Sequence, residues 1–163
     1  MDVWTRLIFF NQNLTWAQPG FYVHQMIAET WQPIGVAVTV TCGDRQDDVN
    51  VAAEQEQDLS VSAQRSDPAT DNGATSLVLR VVNEADAPAA VALGGAIGSN
   101  KAVAVLNATV LALPVGMNLT AVNTPREPDR LRPAALVVPP AGGKFTLPPH
   151  SFAVIELSVR GSK

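Results

Sequence analysis

Aromatic side chains are scarce in this chain and unevenly placed. They make up 6% of 163 residues, and seven of the nine (Trp4, Phe9, Phe10, Trp16, Phe21, Tyr22 and Trp31) precede residue 32. Beyond it only Phe145 and Phe152 remain, flanking a Leu-Pro-Pro-His turn and placed as core. Sugar-binding modules usually present exposed Trp or Tyr faces for stacking, so the C-terminal region reads as a poor stacking surface. Cysteine is nearly absent: Cys42 is alone, which excludes an internal disulfide. It closes the apolar run 36–42 and reads as a structural thiol, since a nucleophile needs a positioned base. Basic charge is also short, with 11 Lys and Arg against 15 Asp and Glu and a net charge of −4. No basic patch is visible, which argues against nucleic acid and anionic membrane surfaces as partners. No apolar run approaches the ~18 residues of a membrane-spanning helix. Met1-Asp-Val-Trp-Thr-Arg lacks the basic start and apolar centre of a signal peptide. The expected location is therefore cytoplasmic, or extracellular if a longer parent carries the signal.

What is present suits one folded domain: 47% hydrophobic residues against 16% charged. Residues 7–10, Leu-Ile-Phe-Phe, form a short apolar run, as expected of a strand buried on both faces. A polar segment follows over 11–20, with Pro19-Gly20 as a breaker. Tyr22, Val23, Met26 and Ile27 recur at helical spacing, predicting a helix over 21–30 that Pro33 ends. From residue 35 the period becomes two. Alternating or apolar runs at 36–41, 59–63, 77–82, 89–93, 102–106, 109–113 and 152–159 predict strands. Turn clusters separate them at 67–73, 83–88 and 94–100. The stretch 124–140, with five prolines, predicts an extended surface linker. The expected fold is mainly β: an antiparallel sandwich of jelly-roll type over 35–163, preceded by a short strand and one α-helix over 1–34.

Four segments carry a resemblance. They are Leu-Ile-Phe-Phe-Asn-Gln at 7–12 with Pro-Gly-Phe-Tyr-Val-His-Gln-Met at 19–26, Thr-Ser-Leu-Val-Leu-Arg-Val-Val-Asn from 75, Asn-Thr-Pro-Arg-Glu-Pro-Asp-Arg-Leu-Arg-Pro at 123–133, and Leu-Pro-Pro-His-Ser-Phe from 147. In this order they resemble the end of glycoside hydrolase family 51 α-L-arabinofuranosidases. The resemblance implies that 1–34 is the last βα unit of an eight-fold barrel and that 35–163 is the C-terminal sandwich. It further implies a retaining pair of Glu residues on earlier barrel strands, so no catalytic residue carries over to this chain. The implied role is an accessory, non-catalytic domain whose parent removes terminal α-L-arabinofuranosyl groups. The alternatives are a stand-alone carbohydrate-binding module and a structural or self-association domain.

Few residues suggest chemistry of their own. Asp44, Asp47, Asp48, Glu54, Glu56 and Asp58 lack the turning Gly and alternation of a calcium loop and read as a solvated loop. His24 and His150 stand far from any Cys or other His, so neither a metal nor a cofactor is expected. His150 is expected as a turn residue whose ring bonds the backbone. Trp16 and Asn11, in and before the loop that a barrel would turn toward its active face, are the candidate carbohydrate contacts; packing of Trp16 between helix and sandwich is the competing reading. Asn13, Asn107 and Asn118 begin Asn-x-Thr sequons and are candidate glycosylation sites, relevant only on a secretory route. The expected partners are the missing barrel, on the same or another chain, and arabinose-containing polysaccharide through the parent. A second copy, meeting an open edge or the apolar residues 7–10, is a further candidate.

Overall fold

The computed structural model describes residues 7–40, 59–67, 75–93, 101–139 and 144–161. Cys42 and the acidic residues of 44–58 lie outside them.

The chain enters through a hairpin. Strands β1 (Ile8–Phe10) and β2 (Thr15–Ala17) pair antiparallel, Phe9 opposite Trp16. Asn11 makes the turn: its Oδ1 accepts the amide protons of Asn13 at 2.9 Å and Leu14 at 2.8 Å, an Asx turn. Helix α1 (Pro19–Glu29) follows at once. The Pro19-Gly20 pair is its first turn, not a breaker, because the first helical position needs no amide proton and suits a proline φ. β1 also departs from expectation. Leu7, Ile8 and Phe10 are exposed, Phe10 at 80%. The apolar run does form a strand, but its only described partner is β2.

β3 (Ile34–Val36), β4 (Leu59–Arg65) and β5 (Thr75–Asn83) begin the main sheet. Of the expected strand at 36–41, Val36 lies in β3 and 37–40 are exposed irregular chain; residue 41 lies outside the described residues. β6 (Ala89–Ala92), β7 (Lys101–Ala112), β8 (Ala134–Ala135), β9 (Lys144–Leu147) and β10 (Ser151–Gly161) complete the described elements. Six strands form one antiparallel sheet in the order β3-β4-β5-β10-β7-β8, while β6 pairs with β9 in a second layer. The two runs predicted at 102–106 and 109–113 are one strand. They are divided by a bulge: Glu156 pairs with Asn107 and Leu157 with Val105, which leaves Leu106 without an opposite residue. A bulge of this kind resets which side chains face inward, and Leu106 is indeed exposed.

Alternation then assigns the faces. Leu79, Val81, Ala153, Ile155 and Leu157 point to the second layer, meeting Phe145 and Leu147 in the main core. Val78, Leu111 and Val154 point the other way and meet Met26 of α1, with Tyr22, Val23 and Phe152 around them. The helix is therefore seated on the sandwich. The stretch 124–140 is more than a surface linker: Leu131 is buried at 3%, and β8 adds to the sheet edge beside β7.

Candidate functional site

The two candidate carbohydrate contacts are brought together in the β1–β2 hairpin, but each is partly committed. The Asn11 side-chain Oδ1 closes the turn. Trp16 is half-buried and stacks on Phe9, ring centroids 5.8 Å apart and planes at 15°. Its ring partner is thus its cross-strand neighbour, whereas the competing reading placed it between helix and sandwich.

Between hairpin and helix lies a buried amide clamp. Gln18 Nε2 donates to the Asn123 carbonyl at 2.9 Å, and Asn123 N donates to Gln18 Oε1 at 3.1 Å. Asn123 Nδ2 donates to the carbonyls of Ala17 and Leu131, both at 2.8 Å, while its Oδ1 accepts from Leu131 N at 2.7 Å. Asn123 is 2% exposed. Every polar atom of its side chain is therefore used, which is the condition under which a buried amide stabilises. The Asn-Thr-Pro motif is the device that ties the proline-rich stretch to the start of α1.

The other end of α1 is held by Arg80. This buried residue on β5 donates from Nη2 to the carbonyls of Thr30 at 3.1 Å and Ile27 at 3.4 Å, and from Nη1 to Gln64 Oε1 at 2.7 Å. A cation at a helix C-terminus meets the negative end of the helix dipole and its unpaired carbonyls. Desolvation lowers the Arg80 pKa; a guanidinium stays charged despite this. Among the described residues its Nε is the one buried side-chain nitrogen or oxygen without a hydrogen bond.

The Leu-Pro-Pro-His-Ser motif is a locked turn. Asn83 Nδ2 donates to the carbonyls of Pro148 at 2.8 Å and Ala87 at 3.0 Å, and its Oδ1 accepts from Ala85 N at 3.2 Å. Ser151 Oγ donates to Pro148 O at 2.7 Å. His150 adopts φ 46°, in the left-handed region. Its ring meets the exposed Asp86 carboxylate at 2.7 Å, where a backbone partner was expected; its amide, not its ring, bonds the backbone, at Ala85 O. Asn83, at the end of β5, is thus a turn device.

One open cleft has a mixed lining. About 440 Å³ in volume, it lies between α1 and the outer face of β7 and β10. Tyr22, Met26 and Val154 supply its apolar surface, and Gln25, Asn107 and Arg132 are among its polar groups. Among the described residues no three His, Cys, Asp or Glu side chains gather as a metal site. The three sequon asparagines are all exposed but differ in setting: Asn13 in the hairpin turn, Asn107 within β7, and Asn118 in a loop where its Oδ1 accepts from Thr120 N at 3.0 Å.

Sequence reasoning missed Gln18, Arg80, Asn83 and Asn123. Arg80 left a signal, as the one charge inside the apolar run Leu77–Val82, and Asn123 opened a motif singled out for its resemblance alone.

No curated protein matches the chain. Solved structures do. An arabinose-bound family 51 α-L-arabinofuranosidase aligns over 97% of this chain and 22% of its own, at 18% identity and TM-score 0.60. The family 51 α-L-arabinofuranosidase of Bifidobacterium longum aligns over 93% of this chain and 28% of its own, at 16% and 0.62. An arabinose complex of the α-L-arabinofuranosidase of Thermotoga maritima gives 93%, 31%, 18% and 0.55. At these identities the likeness shows the fold, and the chain spans less than a third of each matched structure. The family model for the α-L-arabinofuranosidase C-terminal domain matches residues 2–151, so this chain belongs to that C-terminal domain family.

Proposed function

We propose that this domain buttresses a catalytic barrel in an enzyme that removes terminal α-L-arabinofuranosyl groups from arabinose-containing polysaccharide. Residues 1–34 would be the last strand and helix of that barrel, and 35–163 the sandwich. The observation that carries the reading is the contrast within the first 31 residues. Helix α1 is fixed to the sandwich at both ends, by the Gln18–Asn123 clamp and by Arg80, while the apolar side chains of β1 beside it stand exposed. An apolar strand held rigidly next to a seated helix is a surface prepared for a neighbour. The matched structures supply the context, since the aligned part is a minor share of each. In the assembled enzyme, Trp16 and Asn11 would stand at the sugar-facing end of the barrel.

The test is hydrolysis of a chromogenic α-L-arabinofuranoside and of soluble arabinoxylan by the purified chain. No turnover is expected, with a folded β-rich circular-dichroism spectrum. Turnover that follows the protein through purification would overturn the non-catalytic reading. Size-exclusion chromatography adds a second check. Phe10→Ser should leave stability within about 0.5 kcal/mol and reduce any self-association of the isolated chain.

A further inference from the structure

β7 (Lys101–Ala112) is the longest strand of the main sheet, and its outer edge is covered only in part. β8 pairs with Thr109 and Val110, and Leu136 N donates to the Ala108 carbonyl at 2.9 Å. Among the described residues no strand pairs with that edge over Lys101–Asn107. The inner edge of the same stretch is paired throughout, as β10 runs on to Gly161 opposite Lys101. The open edge also lacks the usual protection by charge or proline. Ala102–Asn107 holds neither, and no charged residue occurs before Arg126. β8, by contrast, has Pro133 directly before it and Pro139 soon after. Leu59–Ser62 of β4 is a second stretch left open, where β3 stops opposite Ala63, but it is shorter. The β7 stretch lies apart from the elements assigned to a barrel. Pro19 and Val23 share one cleft with Leu111 and Ala112, and Gln25 and Glu29 share another with Asn107 and Thr109. Helix α1 therefore runs along β7 from Ala112 to Asn107. Lys101–Val105 continue past its C-terminal end, away from the β1–β2 hairpin.

We infer that this edge pairs with the same edge of a second copy of the chain, β7 antiparallel to β7 about a two-fold axis at Ala104. An antiparallel edge is its own complement: each copy supplies the amide protons and carbonyls that the other lacks. Two-fold pairing uses both edges at once and closes, so it gives a dimer and not a fibre. Charge favours this place on the surface. Each copy carries a net charge of −4, and over Ala102–Asn107 no charged side chain of one copy meets its equivalent on the other. The register follows from the faces. Ala104 is exposed and Val105 packs on the main core, so placing Ala104 opposite Ala104 keeps Val105 of both copies on the core side. The bulge at Leu106 ends the pairing on the α1 side. A contact of this length buries well under the ~1,200 Å² of a stable interface, so the dimer is weak and reversible, with a Kd on the order of 0.1 mM.

The experiment is sedimentation equilibrium of the whole 163-residue chain carrying Phe10→Ser, which removes the largest exposed side chain of β1 as a competing contact. A reversible monomer–dimer equilibrium is expected between about 10 µM and about 1 mM. Adding Ala104→Lys sets like charges opposite each other across the axis and should raise Kd at least about tenfold. The circular-dichroism spectrum should not change, since Ala104 is exposed. Ala104→Cys in a Cys42→Ser background gives a second readout. Directly opposite residues have Cα atoms about 4.5–5.5 Å apart, within disulfide reach, so oxidised glutathione should convert this variant to a covalent dimer. A monomer at every concentration would overturn the inference. So would a dimer that Ala104→Lys leaves intact, or the absence of a covalent dimer from Ala104→Cys. The inference does not depend on the buttress reading, whose failure shows separately as turnover in the hydrolysis assay.

Discussion

The main sheet has two faces made by one alternating pattern, and they do different work. Toward β6 and β9 the side chains are aliphatic: Leu79, Val81, Ala153, Ile155 and Leu157 close on Phe145 and Leu147. Toward α1 the sheet offers Val78, Leu111 and Val154, but also Arg80, Asn107 and Glu156. The first face stabilises by excluding water, which requires only volume and shape. The second places a helix in one position, which requires directional bonds at its ends. Stability and geometry are thus divided between the faces of one sheet.

The division is broken most directly in the aliphatic face. Ile155 and Leu157 are fully buried, and Ile155→Ala or Leu157→Ala should cost about 2–5 kcal/mol in urea denaturation. Val154→Ala, on the helix face, should cost less, about 1–2 kcal/mol. Equal losses would show that the two faces share one core.

The directional bonds come next. Asn123→Ala leaves the Ala17 and Leu131 carbonyls and the Leu131 amide without their side-chain partner. A loss of about 2–3 kcal/mol is expected. Hydrogen exchange at Leu131 should rise first, since its amide proton is held by Asn123 Oδ1 at 2.7 Å. A uniform rise across the sheet would mean that the clamp is part of the global core instead.

Arg80→Leu is expected to cost about 1–3 kcal/mol by stranding the last helical carbonyls, and to fray α1 without unfolding the β-sheet. The pH dependence sharpens this. Burial lowers the folded-state pKa of Arg80, so the folded state releases the proton first, and stability rises with pH only between the folded and unfolded values. That window lies in the strongly alkaline range, so Arg80→Leu should leave the slope of stability unchanged between about pH 6 and 9. A changed slope there would mean that Arg80 is coupled to a group that titrates near neutrality.

Much of the sandwich was legible from local pattern: β4 alternates Leu59, Val61 and Ala63 with exposed Ser60 and Ser62, while β5 and β10 are nearly continuous apolar runs, as strands covered on both faces require. The misreadings have specific causes. Pro19-Gly20 reads as a breaker until it is placed in the first turn of a helix. The 36–41 alternation lacks a described partner strand beyond Val36, so it does not continue β3. The break at Asn107-Ala108 suggested two strands, but a bulge at Leu106 keeps one. His150 was correctly put in a turn, yet its ring partner, Asp86, lies in another turn 64 residues away along the chain.

The sequence by itself determined the class of fold, the presence of a helix ahead of it, and the resemblance that the family match bears out. Those features depend on local period and on motif order, both written along the chain. Only the tertiary structure decided what the motifs are for. Gln18 and Asn123 are 105 residues apart, and Arg80 reaches Thr30 across 50. A hydrogen bond between such residues leaves no periodic trace, because its energy depends on distance in space and not on position in the chain.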